Sequence, residues 1–397
     1  MRPTMRLRHG LLVILTATIA ATTGCGGEAT APAIDISKLD SGNYPTTPRD
    51  IEAIRTSRSG AALESVRIGS ATPLPLDVDG RLSFQRRTNV DRRITPESPP
   101  ASYSLSDAEW ADLSKGFIAG WETSAERRGQ PSLGKQVQME LFRFPTSSEA
   151  EAAARRLADR QAANLSGDPV QITGFPQARA KWSVSKKYLD AWLADETTLL
   201  YVHAEDPVSE PAEPTSLIEF TQKYFSKQIE MLKSYVPTPV DQLGSLPIDV
   251  DGLLSRTLPL EDKEKRDKSY DQSMVLAGQA ALHSEPLPAV AKAAFANAGV
   301  DFVSYSGAQV YRTKDTEGTT RLIAAFIDGD AAGYNKIDSP PNLPVAQCFD
   351  DKDPKSFSIR YPPVCFFAYD RYVARVTGHN TQELYQRTAA QYKLLTY

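Results

Sequence analysis

The sequence predicts an α+β fold of two tandem, duplicated domains, each an antiparallel sheet covered by helices on one face. The first observation is a repeated motif, because Asp-Val-Asp-Gly occurs at residues 77–80 and again at 249–252. In both places Gly-Ser and a Pro-aliphatic pair precede the motif, and x-Leu-Ser follows it. The second observation is that both copies close alike, in Leu-Lys-Ser-Tyr at 232–235 and in Leu-Leu-Thr-Tyr at 394–397. After each motif come a helix, a strand, a second helix, further strands and a final helix, an order that a sheet with packed helices accommodates.

These landmarks divide the 397-residue chain into four predicted segments. Residues 1–24 are a lipoprotein signal peptide, and residues 25–68 are a tether with a short N-terminal helical segment. Residues 69–240 form the first repeat domain, and residues 241–397 form the second. A hydrophobic fraction of 41% is sufficient for two cores. The net charge of −4 argues against a nucleic-acid partner bound through an electrostatic footprint.

The first 25 residues are typical of a targeting segment that ends at a lipidated cysteine. Arg2, Arg6 and Arg8 form a basic start, and residues 11–21 form an apolar stretch too short to span a bilayer. Thr-Thr-Gly then precedes Cys25. This pattern resembles a lipoprotein signal peptide, and an ordinary secretory signal with an incidental cysteine is the alternative. We therefore predict an extracytoplasmic protein that a lipid on Cys25 holds at the cell membrane.

The remaining cysteines are Cys348 and Cys365. An even number of cysteines in an oxidising compartment indicates a disulfide. Zinc is the alternative, but no third or fourth nitrogen or sulfur ligand lies near the pair in the sequence. We predict that Cys348 and Cys365 join neighbouring strands, or a strand and its loop, in the second domain.

Capping and periodicity signals predict the elements of the first domain. Ser106 and Glu109 form a capping box for a helix whose apolar face would run from Trp110 to Trp121. The other predicted elements of this domain are helices at 150–163 and 217–235 and strands at 136–144, 178–184 and 197–204. Ahead of the domain, residues 49–66 are predicted to form one or two short helical pieces, broken near Ser59-Gly60.

The second domain is predicted to repeat this order in shorter form. Its predicted elements are helices at 290–298, 320–327 and 381–395 and strands at 302–312, 345–349, 364–369 and 372–377.

A further motif, Ser-Lys-Leu-Asp-Ser-Gly-Asn-Tyr-Pro, occupies residues 37–45, between Cys25 and the first repeat. Together with the lipidation motif and the two repeat units, it resembles a family of uncharacterised cell-envelope lipoproteins of actinobacteria such as Nocardia, Rhodococcus and mycobacteria. The resemblance spans essentially the whole chain after the signal peptide. It implies a location in the cell envelope, and it brings neither an activity nor functional residues.

The repeated acidic motif invites interpretation as a calcium loop, and its spacing excludes that interpretation. In an EF-hand loop the first ligand would fall on Pro75 or Pro247, and the bidentate Glu on Arg86 or Leu258. We instead predict turns in which each glycine takes positive φ and each aspartate bonds its own backbone, and we predict no metal site. Because the sequence has no glycine-rich phosphate loop, Rossmann fingerprint or Cys-x-x-Cys pair, we predict no cofactor.

Three histidines are candidate catalytic bases. His203, His283 and His379 follow the signal peptide, and no Gly-x-Ser-x-Gly motif accompanies them. His203 and His379 lie at the ends of corresponding strands but are offset by two residues, so they do not repeat one site. Hydrogen bonding at a strand end is the simpler interpretation, and we predict no catalytic residue.

Two further groups of residues, two arginine pairs and three aromatic residues, each allow two interpretations. The arginine pairs at 86–87 and 92–93 would contact anionic lipid or an acidic envelope polymer, or else form salt bridges within their loop. Trp182, Tyr188 and Trp192 surround a predicted strand and turn. These aromatic residues would belong to the core, or would form a platform for carbohydrate or lipid.

Taken with the duplication, these patterns favour a non-enzymatic envelope protein that presents a binding surface, or a groove between the copies, to an envelope ligand or protein partner. The alternative is an envelope-acting hydrolase with a non-motif active site, which requires a histidine beside a carboxylate in a polar pocket. A third hypothesis, a sensor-type module like the extracellular domains of receptor kinases, differs from the first only in its partner.

Overall fold

The computed structural model describes residues 34–85, 91–100, 105–130, 133–164, 166–265, 271–330, 333–352 and 362–397. The predicted signal peptide, the predicted lipidation site Cys25 and the Arg86–Arg87 pair lie outside these residues. Within the described ranges, no helix combines the length and apolar character needed to cross a membrane.

The first domain contains an antiparallel sheet of seven strands in the described residues, in the order β1-β2-β3-β7-β6-β5-β4. The strands are β1 (Arg93–Ile94), β2 (Ala119–Glu126), β3 (Gln136–Arg143), β4 (Asp168–Ile172), β5 (Phe175–Ser183), β6 (Tyr188–Asp195) and β7 (Thr198–Glu205).

The second domain repeats this topology strand for strand. Its described residues form a seven-stranded antiparallel sheet in the order β8-β9-β10-β14-β13-β12-β11. The strands are β8 (Met274–Ala277), β9 (Phe302–Tyr305), β10 (Gln309–Arg312), β11 (Tyr334–Ile337), β12 (Gln347–Asp351), β13 (Val364–Tyr369) and β14 (Tyr372–Thr377). The predicted α+β class, with two tandem antiparallel domains, is confirmed.

Helices lie between and after the strands in both domains. The described α-helices are α1 (Ser59–Ser70), α2 (Pro75–Val78), α3 (Asp107–Leu113), α4 (Ser147–Asn164), α5 (Thr215–Leu232), α6 (Gly278–Leu282), α7 (Pro288–Ala298), α8 (Thr316–Asp330) and α9 (Thr381–Thr396). The long helices α4 and α8 and the closing helices α5 and α9 take matching places. Before the first strand the domains differ, because α1 and α2 precede β1 whereas α6 and α7 follow β8.

Helices cover both faces of each sheet, which goes beyond the expected single face. In the first domain Leu157 of α4 clusters with Leu199, whereas Leu217 of α5 clusters with Leu200. Successive residues of a strand point to opposite faces, so α4 and α5 lie on opposite sides of the sheet. In the second domain α8 packs on Phe366 and α9 packs on Phe367 in the same way.

The capping box predicted at Ser106 is present. The Ser106 hydroxyl accepts the Glu109 N–H at 3.3 Å, and Glu109 Oε2 accepts the Ser106 N–H at 3.0 Å. The predicted continuation of this helix to Trp121 is wrong, because α3 ends at Leu113 and Trp121 lies in β2. Gly116, with φ +89°, turns the chain out of the helix.

Several strands were not predicted correctly from the sequence. Residues 302–312, predicted as one strand, form the hairpin β9–β10, in which Ser306 N–H donates to Ala308 O at 2.9 Å. Strands β4 and β11 lie at the sheet edges and carry several exposed residues, so they lack a continuous apolar signal.

In the first copy of the repeated Asp-Val-Asp-Gly motif the first two residues end helix α2 and the last two begin a turn. The second copy leads into a turn without a helix, and different aspartates bond the backbone. In the first copy Asp79 Oδ1 accepts the Arg81 N–H at 3.1 Å. In the second, Asp249 accepts the N–H groups of Leu254 at 2.7 Å and Ser255 at 3.0 Å. Of the two motif glycines, Gly252 alone takes positive φ, +73°. Among the described residues no three His, Cys, Asp or Glu side chains are grouped to hold a metal ion.

Residues 36–49, here called the N-terminal strap, lie against the second domain. Lys393 Nζ of α9 donates to Leu39 O at 2.9 Å, and the Asn342 amide donates to Lys38 O at 3.1 Å. Arg49 N–H donates to Ser255 O at 3.2 Å. The chain therefore crosses the second domain before α1 enters the first.

The two domains share one core. Ile68 and Trp121 of the first domain belong to the same buried hydrophobic cluster as Ala280, Phe295 and Tyr311 of the second. Residues 36–397 accordingly form one compact unit.

Candidate functional site

Strand register brings three ionisable side chains together on the α4 face of the first sheet. Lys181 in β5 pairs with Asp190 in β6, and Asp190 pairs with His203 in β7. Paired residues of adjacent strands point to the same face, so the ammonium, carboxylate and imidazole groups form one row across the sheet. The sequence separates these residues by loops and turns, and the row exists only in the folded sheet.

Asp190 is the centre of this row. It is 4% exposed, and its Oδ1 accepts hydrogen bonds from Tyr201 Oη at 2.6 Å and His203 Nδ1 at 2.8 Å. Burial, reinforced by the Asp190 charge, raises the pKa of Tyr201 well above its ordinary value, so the phenol stays a donor. The second oxygen, Oδ2, receives no hydrogen bond from the described residues.

A cavity of about 270 Å³ opens in front of Asp190, between the C-terminal half of α4 and strands β4 to β6. Its wall combines aromatic, aliphatic, amide, hydroxyl and charged groups. The lining residues are Ala158, Asp159, Gln161, Ala162, Ser166, Pro169, Val170, Gln171, Ala178, Arg179, Ala180, Lys181, Trp182, Ser183, Tyr188, Asp190 and Trp192.

The three aromatic residues predicted as core or platform all border this cavity, and they divide between the faces of the sheet. Trp182 belongs to the buried cluster on the α5 face, whereas Trp192 belongs to the cluster beneath α4. The Trp192 indole N–H donates to Gln161 Oε1 at 2.7 Å, and the Tyr188 ring lies 5.1 Å from the His203 ring. The hydroxyl of Tyr188 is buried and makes no hydrogen bond of normal geometry with the described residues, although the Ser183 side chain is close enough to act on its pKa.

The mouth of the cavity carries charged groups of both signs. Arg179 Nη1 lies 3.0 Å from Asp159 Oδ1, in an ion pair exposed to solvent. Lys181 Nζ donates to Ala162 O, near the C-terminal end of α4, at 3.2 Å. The two cations therefore tie strand β5 to helix α4 across the cavity.

The corresponding place in the second domain is apolar. The tight turns β6–β7 and β13–β14 align through Glu196 and Asp370, both at positive φ, which makes Val364 the equivalent of Asp190. Likewise Phe349 replaces Lys181 and Phe366 replaces Trp192. The same fold thus accepts hydrocarbon side chains at the position of the carboxylate.

The other two histidines lie elsewhere. His283 is fully buried between the domains, where Nδ1 is 2.8 Å from Thr123 Oγ1 and Nε2 is 3.1 Å from Thr72 O. His379 is exposed, and its backbone N–H donates to Glu383. The three histidines do not form one site.

The described arginine pair lies at the domain interface. Arg92 is 2% exposed, and its Nε donates to His283 O at 3.0 Å. Arg93 Nη2 donates to Gln272 O at 2.8 Å and pairs with Asp91. Both side chains connect the two domains. Of the two predicted roles, contact with an anionic lipid or polymer and a salt bridge within the loop, Arg93 has the second, through Asp91.

The predicted disulfide between Cys348 and Cys365 is present, and it links paired positions of the neighbouring strands β12 and β13. In the first domain the equivalent pair is Ala180 and Ala191. The disulfide is therefore an addition to the second copy.

Sequence reasoning did not single out Asp190, Lys181 or Gln161. Alignment of the two repeats could have pointed to Asp190, because the equivalent position in the second copy is the apolar residue Val364. That alignment requires the strand pairing, because the loops within the two copies differ in length.

Comparison with known proteins places both halves of the chain in one family. Among solved structures, the extracellular domain of PknH from Mycobacterium tuberculosis is similar over 42% of this chain and 96% of that domain, with a TM-score of 0.30 and 14% sequence identity. A similarity this low carries no argument about function. No curated protein matches the chain. Residues 51–248 match the N-terminal part, and residues 253–397 the C-terminal part, of a family described as Domain of unknown function (DUF7373). The chain therefore belongs to the DUF7373 family.

Proposed function

We propose that this protein is a lipid-anchored, extracytoplasmic binding module that holds an envelope ligand in the cavity of its first domain. Its role is binding, with no catalytic step. The signal-peptide pattern and Cys25 support the location, and the cavity in front of Asp190 supports the binding role.

One observation carries the proposal: a carboxylate that is more than nine-tenths buried presents a free oxygen to a cavity. Asp190 Oδ1 is occupied by Tyr201 and His203, and Oδ2 has no donor among the described residues. Oδ2 is not among the fully enclosed polar atoms that lack a partner in the described residues, so it is open to the cavity that Asp190 lines. A donor group of a bound ligand can therefore reach it.

The second domain supplies an internal control for this argument. Val364 occupies the position of Asp190, and Phe349 occupies that of Lys181. Because the fold accommodates hydrocarbon there, the polar groups of the first domain are not needed to build the sheet. Their presence favours a binding role confined to the first copy.

Native mass spectrometry tests the binding role. The folded protein would be incubated with the low-molecular-weight soluble fraction of a cell envelope and then desalted. We expect a bound mass on the wild type that is lost from Asp190→Asn, while Asp241→Asn, which changes an exposed acid outside the cavity, retains it. No bound mass on the wild type would contradict the proposal.

The anchor has a separate test. We expect the native protein to sediment with membranes and to carry acyl chains on Cys25, and Cys25→Ala to appear in the soluble fraction with no added lipid mass. A wild-type protein without lipid, cleaved before another residue, would refute anchoring and leave the binding role untouched.

The Asp190–His203 contact favours a second candidate, an envelope hydrolase. A carboxylate that orients an imidazole is half of a nucleophile-activating arrangement. However, His203 Nε2 faces Glu205 at 4.0 Å, and no described Ser, Thr or Cys side chain bonds it. Turnover of nitrophenyl esters or glycosides that His203→Gln abolishes and His379→Gln retains would establish the hydrolase; equal inactivity of all three proteins would remove it.

A further inference from the structure

We infer that the ligand of the first-domain cavity is an uncharged, polyhydroxylated ring, such as one monosaccharide unit of an envelope glycan. This inference rests on the proposed binding role and adds the chemical class of the ligand.

Charge balance is the first argument. The described wall contains two acids, Asp159 and Asp190, and two bases, Arg179 and Lys181. An anion would meet the uncompensated Oδ2 of Asp190, and a cation would meet the two bases. Like charges in a partly desolvated site repel strongly, so neither ionic class is favoured.

Hydrogen-bonding capacity is the second argument. The cavity offers an acceptor at Asp190 Oδ2 and, at Tyr188, a hydroxyl that makes no hydrogen bond of normal geometry with the described residues. A ligand hydroxyl both donates and accepts, so neighbouring hydroxyls of one ring can satisfy both groups. The Gln161 amide makes one hydrogen bond at each end, its oxygen with Trp192 and its nitrogen with Tyr201, so one N–H and one lone pair remain for a ligand hydroxyl.

Shape and size are the third argument. A cavity of about 270 Å³ lies at the small end of ligand pockets and accommodates a single ring more readily than a chain. Carbon-rich surface from Tyr188, Pro169 and Ala158 borders the polar groups. A sugar ring presents the same combination of C–H surface and hydroxyls, and Tyr provides an apolar body with a polar tip.

The Trp192 indole is a reporter at this site, since its N–H binds Gln161 in the cavity wall. Protein labelled with ¹⁵N-tryptophan gives indole signals for four tryptophans, and loss of one signal in Trp192→Phe assigns the reporter. Trp121, fully buried in the shared core, serves as the internal reference for an intact fold.

The probes are glucose, galactose, arabinose and N-acetylglucosamine, with choline and inorganic phosphate as charged counter-probes. We expect at least one sugar to shift the Trp192 signal saturably and to leave the Trp121 signal in place. Asp190→Asn should weaken that binding by about tenfold or more, because a charged acceptor is lost. Asp241→Asn should bind as the wild type does.

A second variant, Ala162→Phe, fills the cavity from α4 and leaves the Asp190 network intact; it should abolish the sugar-dependent shift. Saturable shifts with choline or phosphate and none with sugars would overturn the ligand class and preserve the binding role. If no sugar shifts the Trp192 signal, the inference about the ligand class is overturned. If, in addition, native mass spectrometry finds no bound mass from the envelope fraction, the binding role is removed as well.

Discussion

The imidazole of His283, in the second domain, lies with Nδ1 2.8 Å from the hydroxyl of Thr123, in the first. Its Nε2 lies 3.1 Å from Thr72 O, so a neutral ring protonated on Nε2 satisfies both contacts. The backbone oxygen of His283 also accepts from Arg92 and Gln85. One residue thereby links three segments of the first domain to the second.

This link should make stability depend on pH. Burial lowers the pKa of His283 from 6.5 to about 3, so below pH 6.5 the unfolded chain binds a proton that the folded chain refuses. The contribution of His283 is therefore complete above pH 6.5 and falls by about 1.4 kcal/mol per pH unit as the pH drops towards 3. Urea unfolding of the wild type at pH 7.5 and 5.0 measures this loss, expected at about 2 kcal/mol from this residue.

The contribution is isolated by comparing variants. His283→Gln should be less stable at pH 7.5 by about 1–3 kcal/mol and should lose less between the two pH values. His379→Gln, at an exposed position, should follow the wild-type pH dependence. Equal pH dependence in all three proteins would show that His283 is accessible to protons in the folded state.

Removal of the Glu64 charge should be strongly destabilising. The Glu64 carboxylate is 0% exposed and accepts from Arg143 Nη1 at 2.5 Å, from Thr238 Oγ1 at 2.6 Å and from Tyr235 Oη. Glu64→Gln leaves Arg143 buried without its counter-charge, and we expect a loss of about 3–5 kcal/mol in the free energy of unfolding. In the exposed pair of Arg155 and Glu151, Glu151→Gln should change stability by less than about 0.5 kcal/mol. A similarly small loss of stability in both variants would contradict the expected stabilisation by the buried Glu64–Arg143 pair.

Replacement of the disulfide should weaken the second domain without unfolding it. Ala180 and Ala191 occupy the equivalent positions in the first domain, so alanine fits this strand pair. The sequence separation is 17 residues, and we expect Cys348→Ala with Cys365→Ala to lose about 3 kcal/mol. Thermal unfolding with and without a reductant checks this: reductant should lower the wild-type midpoint and leave the double variant unchanged. A wild type insensitive to reductant under unfolding conditions would refute the link.

The N-terminal strap should contribute to stability, although the sequence predicted a tether with a short N-terminal helical segment at residues 25–68. Leu39 of the strap is 4% exposed, and Lys393 Nζ donates to its carbonyl oxygen at 2.9 Å. A chain that begins at residue 50 should therefore be less stable than one that begins at residue 34, by about 2 kcal/mol or more. Lys393→Ala should reproduce part of this loss, and Lys227→Ala, on the exposed side of α5, should not. Equal stability of the two chains would identify the strap as a passive linker.

Much of the element order could be predicted because it depends on local periodicity. The capping box at Ser106 and the closing helices have signals within a few residues, and both are present. The helix predicted to reach Trp121 failed because β2 is buried on both faces, so its apolar residues do not alternate and match a helical spacing as well. Edge strands β4 and β11 failed for the opposite reason, since few of their residues are buried.

The duplication, the α+β class, the paired cysteines and the lack of known catalytic motifs can all be recognised from the amino-acid sequence, because each depends on residue types at short or repeated spacing. The folded chain was needed to find that Lys181, Asp190 and His203 share one row and that Val364 takes the place of Asp190. The same holds for the strap on α9 and for His283 between the domains. The physical reason is that strand register and domain packing follow from burying the whole core together, and a one-residue change of register would turn Asp190 away from its cavity.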